Sequence, residues 1–170
     1  MELNVRRATL DDAESLKHLW GELANDQLGK DPYYKESFIT EEGYMIEKYM
    51  QMKECIIYVA VADEKIVGFI EAWVKKKDFE FFIDDYLYIT HYYIQPYYRG
   101  HMKLFLQLIK KIEMWASKNS IKFIVADVLK NNNRTIELVK LLKYNEYRVK
   151  LVKPIQKSNN VRKENGKEVE

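Results

Sequence analysis

At 170 residues, 47% hydrophobic and 32% charged, the chain has the composition of a globular domain large enough to bury a core. A net charge of +2 gives no broad electropositive footprint for nucleic acid, and no apolar run approaches the roughly 18 residues of a membrane helix. The single cysteine, Cys55, excludes an internal disulfide, and the start MELNVRRATLDD lacks the apolar centre of a signal peptide, so a cytoplasmic location is expected.

Residues 2–8 alternate polar and apolar and predict a first strand. Thr9 and Asp12 have the spacing of a helix N-terminal capping pair. Leu16, Leu19, Trp20 and Leu23 then fall at i, i+3, i+4 and i+7, the stripe of a helix with one buried side. Residues 25–40 read as loop, broken by Gly29 and Pro32. Tyr44, Met45, Tyr49 and Met52 predict a second helix over 41–53. CIIYVAVADEKIVGFIEAWV is two β-branched runs joined at Asp63-Glu64-Lys65, a hairpin, with Cys55 a small buried hydrophobe in the first run. FFIDDYLYITHYYI is a further strand. A helix from about 100 to 117 is expected to bury Phe105, Leu108, Ile109, Ile112 and either Trp115 or Ala116.

IKFIVADVL is almost continuously apolar, as in a strand covered on both faces. The asparagines at 131–133 suit the cap of a short helix to about 142. YNEYRVKLVKP predicts a last strand, and QKSNNVRKENGKEVE has the composition of a disordered tail. The expected order is β-α-α-β-β-β-α-β-α-β, one domain over 1–153 with a flexible tail over 154–170. The class is α+β: a mixed, mostly antiparallel sheet flanked by helices, with strands near 86–94 and 121–129 parallel and joined right-handedly. The last strand, apolar at alternate residues, would be an edge needing cover, so a homodimer through it or through the tyrosine-rich surface is expected.

The stretch IQPYYRGHMKLFLQLIKK joins a strand to a long helix through Arg99 and Gly100. A helix start leaves backbone N–H groups without partners inside the helix, and the helix dipole adds positive potential there. Arg99 supplies a planar cationic fork suited to phosphate, and Gly100 lets the backbone approach a ligand closely. A capped surface turn with a solvated basic face, formed by Lys103, Lys110 and Lys111, is the alternative.

THYYIQPYYRGHMKLFLQLIKKIEMWA and FIVADVLKNNNRTIELVKLLKYNEYR together resemble the central motifs of the GNAT superfamily of N-acetyltransferases, and VRRATLDDAESLKHLW resembles that family's first strand and helix. The resemblance covers about residues 3–153. In the family, Arg/Gln-x-x-Gly-x-Gly/Ala grips the pyrophosphate of acetyl-CoA through backbone N–H groups. Here Arg99 fills the first position and Met102 and Leu104 the two small-residue positions. In the later motif Asn132 and Leu138 match, Val139 stands where the family has its usual general-acid tyrosine, and Lys143-Tyr144 replaces Gly-Phe.

The resemblance implies acetyl transfer from acetyl-CoA, as cosubstrate, to a primary amine of a small molecule or protein. A non-catalytic acyl-CoA-binding or interaction module on the same fold is the alternative. The implied coenzyme site comprises Tyr93, Ile94, Arg99, Gly100, His101, Met102, Lys103, Leu104 and Asn132, with the oxyanion met by a backbone N–H near Tyr93 or Ile94. Relatives carry acidic residues at the places of Thr90 and His91, so His91 is the candidate general base, an imidazole being suited to proton transfer near neutrality. A structural sheet histidine is the other reading. Tyr144 is the candidate acid for the leaving thiolate. Asp84, Asp85 and Tyr92 are candidates for the amine acceptor's site, with solvated strand-end charges as the plainer reading of the two aspartates. No His/Cys/Asp spacing suggests a metal, and neither nucleic acid nor membrane is an expected partner.

Overall fold

The computed structural model describes residues 2–34, 44–78, 80, 82–100 and 102–153. The alternating stretch at the start forms β1 (Leu3–Arg7). Asp12 closes the short turn after it: its carboxylate accepts the Thr9 N–H at 2.8 Å and a two-pronged contact from Arg6 at 2.7 and 2.8 Å. The Arg6 guanidinium, ahead of the opposing cost of burial, holds the Asp12 carboxyl below its usual range. The apolar stripe behind it becomes α1 (Ala13–Leu28), burying Leu16, Leu19, Trp20 and Leu23.

The two β-branched runs form β2 (Cys55–Ala62) and β3 (Lys65–Lys75), an antiparallel hairpin. Its two-residue turn places Asp63 at φ 44° and Glu64 at φ 68°, the left-handed conformation that favours glycine. Asp63 recovers part of this cost by accepting the Glu2 N–H at 2.8 Å, whereas Glu64 makes no such bond among the contacts described. Glu64→Gly should therefore raise stability by about 0.5–1 kcal/mol, read as a higher midpoint in urea at unchanged slope.

β4 (Tyr86–Ile94) pairs antiparallel with β3, and β5 (Phe123–Ala126) lies parallel to β4, giving the order β1-β2-β3-β4-β5. The crossover between β4 and β5 is α3 (Met102–Lys118). It buries Phe105, Leu108, Ile109, Ile112 and Ala116 against one face of the sheet, with Trp115 half-covered at the margin. α1 and the short α2 (Ile46–Gln51) cover the opposite face over Ile57, Phe69 and Tyr93. The fold is the expected α+β sheet between helices. No described helix is long and apolar enough to cross a membrane.

Several expectations change. α1 runs on to Leu28, into the stretch expected as loop, and β4 begins only at Tyr86, so residues 82–85 of the expected strand lie outside it. The second helix is confined to Ile46–Gln51, with Met45 and Met52 exposed; Tyr44, just before it, is buried instead, and residues 41–43 lie outside the described residues. β5 is four residues long and only half-covered, because it is the outermost strand of the described sheet. The last strand expected at 144–153 does not form, so the described order ends at α4 (Asn133–Leu141). The chain leaves α4 through Lys143 at φ 65° and runs outward, with Val149 77% and Leu151 89% exposed. Four residues of β5 offer little edge for a ten-residue strand to pair with. The polar tail over 154–170 lies outside the described residues, as does His101.

Candidate active site

An irregularity in the β3–β4 ladder builds the site. Glu71 faces His91 and Ala72 faces Ile89, so Thr90 is an extra residue on β4, a β-bulge. Before it, Leu87 and Ile89 point into the α3 core; after it, Tyr92 and Ile94 do. The bulge thus turns His91 to the opposite face, toward α1, where strict alternation would have sent it into the α3 core.

There His91 meets Glu71, a carboxylate only 1% exposed. Glu71 accepts from the Tyr44 hydroxyl at 2.6 Å, Trp73 Nε1 at 2.7 Å and Thr90 Oγ1 at 3.0 Å. His91 Nδ1 lies 3.2 Å from Glu71 Oε1, at ion-pair distance but outside good hydrogen-bond alignment. Burial pushes the Glu71 carboxyl up, but His91, Tyr44 and Trp73 together outweigh it and bring it down to about 2. The same buried charge, added to desolvation, raises the Tyr44 hydroxyl far above its ordinary value. The rings of Trp20 and Tyr44 stack 5.0 Å apart, and each meets the His91 ring edge-on. Cys55, below this cluster, is a buried thiol pushed by desolvation to about 12, which makes it a packing residue and a poor nucleophile.

The second feature is the end of β4. β5 stops pairing at Ala126, opposite Ile89, while β4 continues to Ile94. Gln95 N–H donates to Val67 O of the β3 side at 2.9 Å. Strand N–H groups alternate, so that of Tyr93 also faces β3, and those of Tyr92 and Ile94 face the edge that β5 has left. Immediately beyond is the turn into α3. Leu104 is fully buried in the core; Met102 and Lys103 are exposed. A Cβ added at Gly100 would meet nothing within 4 Å.

Arg99 is engaged by its own chain. Its Nε donates to Ile94 O at 2.8 Å, its guanidinium lies 5.1 Å over the Tyr93 ring, and NH1 sits 3.6 Å from Asp26. Arg134, on α4, reaches across and donates to Arg99 O at 2.7 Å. Tyr92, packed edge-on against Phe105 at 5.3 Å, has its hydroxyl raised by burial and partly held down by the charges of Arg99 and Arg134. Asn132 caps α4, accepting the Thr135 N–H at 3.3 Å.

The structure does not bring the remaining candidates to His91. Asp84 is paired with Lys122 at 2.9 Å and Asp85 with Lys76 at 3.0 Å, at the far end of β4. Asp85 is six residues from His91, about 20 Å along a strand. Tyr92 points to the α3 face, away from the imidazole. The Tyr144 hydroxyl is buried without a hydrogen-bond partner among the described residues, and burial, with Glu113 as its charged neighbour, pushes it up to about 12. Glu113 stands about 16 Å along α3 from Met102. Sequence reasoning missed Glu71, Tyr44 and Arg134. The available signal for Glu71 was a lone acid inside the apolar run IVGFIEAWV. Among the described residues no cluster of three metal-ligating side chains occurs.

Solved structures of other proteins share this fold. The structure of AAC(6')-Iy in complex with the bisubstrate analog CoA-S-monomethyl-acetylneamine matches with a TM-score of 0.69 at 18% identity, over 91% of this chain and 99% of that one. The aminoglycoside 6'-N-acetyltransferase AAC(6')-Ih from Acinetobacter baumannii matches at 0.66 and 15%, over 90% and 98%. A mutant of the BH1408 protein from Bacillus halodurans matches at 0.76 and 16%, over 90% and 99%. At such identities the likeness is one of fold. Comparison with curated protein sequences finds no match. The family model for the acetyltransferase (GNAT) family matches residues 20–144, well over half of the sequence, and the chain belongs to that family.

Proposed function

We propose that the protein transfers the acetyl group of acetyl-CoA to a primary amine. The observation that supports this best is the gap where β5 leaves β4 at Ala126, with the start of α3 beside it and His91 on the far face of the same strand. A thioester lying in that gap would have its phosphates at the helix start and its carbonyl near the N–H groups of Tyr92 and Ile94. Those groups are the candidate oxyanion donors. His91 takes the amine proton as the C–N bond forms. The thiolate leaves without a tyrosine at position 139: an ordinary thiol has a pKa of about 8.5, so departure depends little on a strong acid. Neighbouring folds named for aminoglycoside acetylation make small molecules bearing several amines the first acceptors to test.

Calorimetry with acetyl-CoA, then a panel of amines with thiol release as the readout, tests the reading. Binding without turnover on any amine supports the acyl-CoA-binding module instead; absence of binding sinks both. Arg99 has a double part in this reading, bracing Ile94 O and adding charge near the helix start. Arg99→Ala should lower stability by about 1 kcal/mol and acetyl-CoA affinity by about 1–3 kcal/mol, checked by thermal unfolding and calorimetry on the same sample. Unchanged affinity would confine Arg99 to the structural part.

A further inference from the structure

We infer that Glu71 is the positioning residue of the reaction: it holds His91 with a proton on Nδ1, so that Nε2 is left as the bare base. The inference rests on the acetyl-transfer reading of the site. A carboxylate 1% exposed is costly unless something requires it, and Glu71 is surrounded by donors. Tyr44 and Trp73 supply O–H and N–H at 2.6 and 2.7 Å, which fix both carboxylate oxygens in place. Thr90, the bulge residue, donates to Oε1 at 3.0 Å. His91 Nδ1 approaches that same oxygen to 3.2 Å and is itself buried, while the side chain as a whole remains 32% exposed. The exposed part of the side chain therefore lies away from Nδ1.

An ionised carboxylate accepts only, so hydrogen on the nitrogen 3.2 Å from it is favoured over a lone pair facing it, although the contact as it stands lies outside hydrogen-bond alignment. A neutral imidazole protonated on Nδ1 has its lone pair on Nε2, pointing away from Glu71. The bulge at Thr90 and the buried acid thus serve one purpose: the first turns the ring to this face, and the second sets its tautomer. The other titratable groups packed round the pair are Tyr44, Tyr49 from α2 and Cys55 from β2, all pushed upward by burial and so neutral beside it. α1 contributes the Trp20 ring, and its nearby acid, Glu22, is engaged by Gln95 and His18.

The proton path balances without a further reactant. The amine nitrogen forms the C–N bond with its lone pair and gives one proton to Nε2. The C–S bond breaks with its electron pair going to sulfur. The proton on Nε2 then passes to the thiolate, directly or through water. Nδ1 keeps its proton throughout, and the ionised Glu71 stabilises the transient imidazolium.

Two measurements test this. The first needs no acceptor and no catalysis: long-range nitrogen–proton NMR on the full chain labelled with 15N-histidine. The chain has three histidines, and His91 is assigned by subtracting the His91→Gln spectrum. The neutral ring should show hydrogen on Nδ1; hydrogen on Nε2 overturns the inference, whether or not any amine is acetylated. The second is Glu71→Gln, with folding checked by near-ultraviolet circular dichroism. It should cut kcat by about 100-fold or more, with KM within about threefold. Parental kcat, or a loss carried by KM and not by kcat, overturns the positioning role. If Glu71→Gln does not fold, the tautomer in the unmodified protein decides.

Discussion

Replacing His91 with glutamine should lower turnover by about 100- to 10,000-fold while leaving acetyl-CoA affinity near its parental value. The two effects separate because the groups lie on different faces of β4. His91 is turned toward α1 by the Thr90 bulge, whereas the helix start, Arg134 and Tyr92 lie on the α3 side. Glutamine keeps a polar side chain of similar reach beside Glu71, so the buried carboxylate retains a donor and the fold survives. It cannot take a proton, and the rise of rate with pH that an imidazole base imposes should disappear with it. Tyr144→Phe serves as the contrast. Its hydroxyl is buried beside Glu113, well along α3 from the helix start, and its loss should change turnover by no more than about threefold. A His91→Gln protein with parental rate and pH dependence would reduce His91 to a sheet histidine and place the base elsewhere.

Periodicity made most of the fold legible and little of the site's wiring. The helical stripe at Leu16, Leu19, Trp20 and Leu23 and the paired β-branched runs report burial, and burial is what periodicity encodes. The apolar alternation of 144–153 failed as a guide for a physical reason. A strand also needs a partner edge, and β5 offers four residues. At the site, His91 could be chosen from its residue type, but its surroundings could not. A bulge shifts the side-chain register by one, and nothing in ITHYYI marks Thr90 as the extra residue. Glu71 lies 20 positions upstream on another strand, and Tyr44 comes from the segment before α2; only tertiary packing joins them. Asp84 and Asp85 look inviting in sequence because they are close to His91 along the chain. An extended strand converts that nearness into distance, and two lysines take up their charge.

Gly68→Ala should be the most damaging single methyl group in the sheet. A Cβ there would sit 2.6 Å from Tyr93 O, 2.9 Å from Ile94 Cγ1 and 3.1 Å from Ile94 Cα. None of these atoms is free to yield. The Tyr93 ring is buried with the Arg99 guanidinium above it, Ile94 is buried in the α3 core, and its carbonyl is held by Arg99 Nε at 2.8 Å. The added methyl must push β4 away from β3 at the strand end, where the N–H groups of Tyr92 and Ile94 face the gap. Overpacking of this kind costs about 1–3 kcal/mol, a fall of roughly 2–12 °C in the melting temperature of a domain this size. Turnover should suffer more than stability, since a displacement of about 1 Å in a positioned group costs on the order of 100-fold. Gly21→Ala is the internal control. It lies inside α1 with open space around it, and alanine there should raise stability by as much as about 1 kcal/mol. Calorimetric melting and kcat measured on both variants check the pair. A Gly68→Ala protein as stable and active as its parent would mean that the two strands part at this point without cost, and that the gap beside Ile94 does not need the geometry seen here.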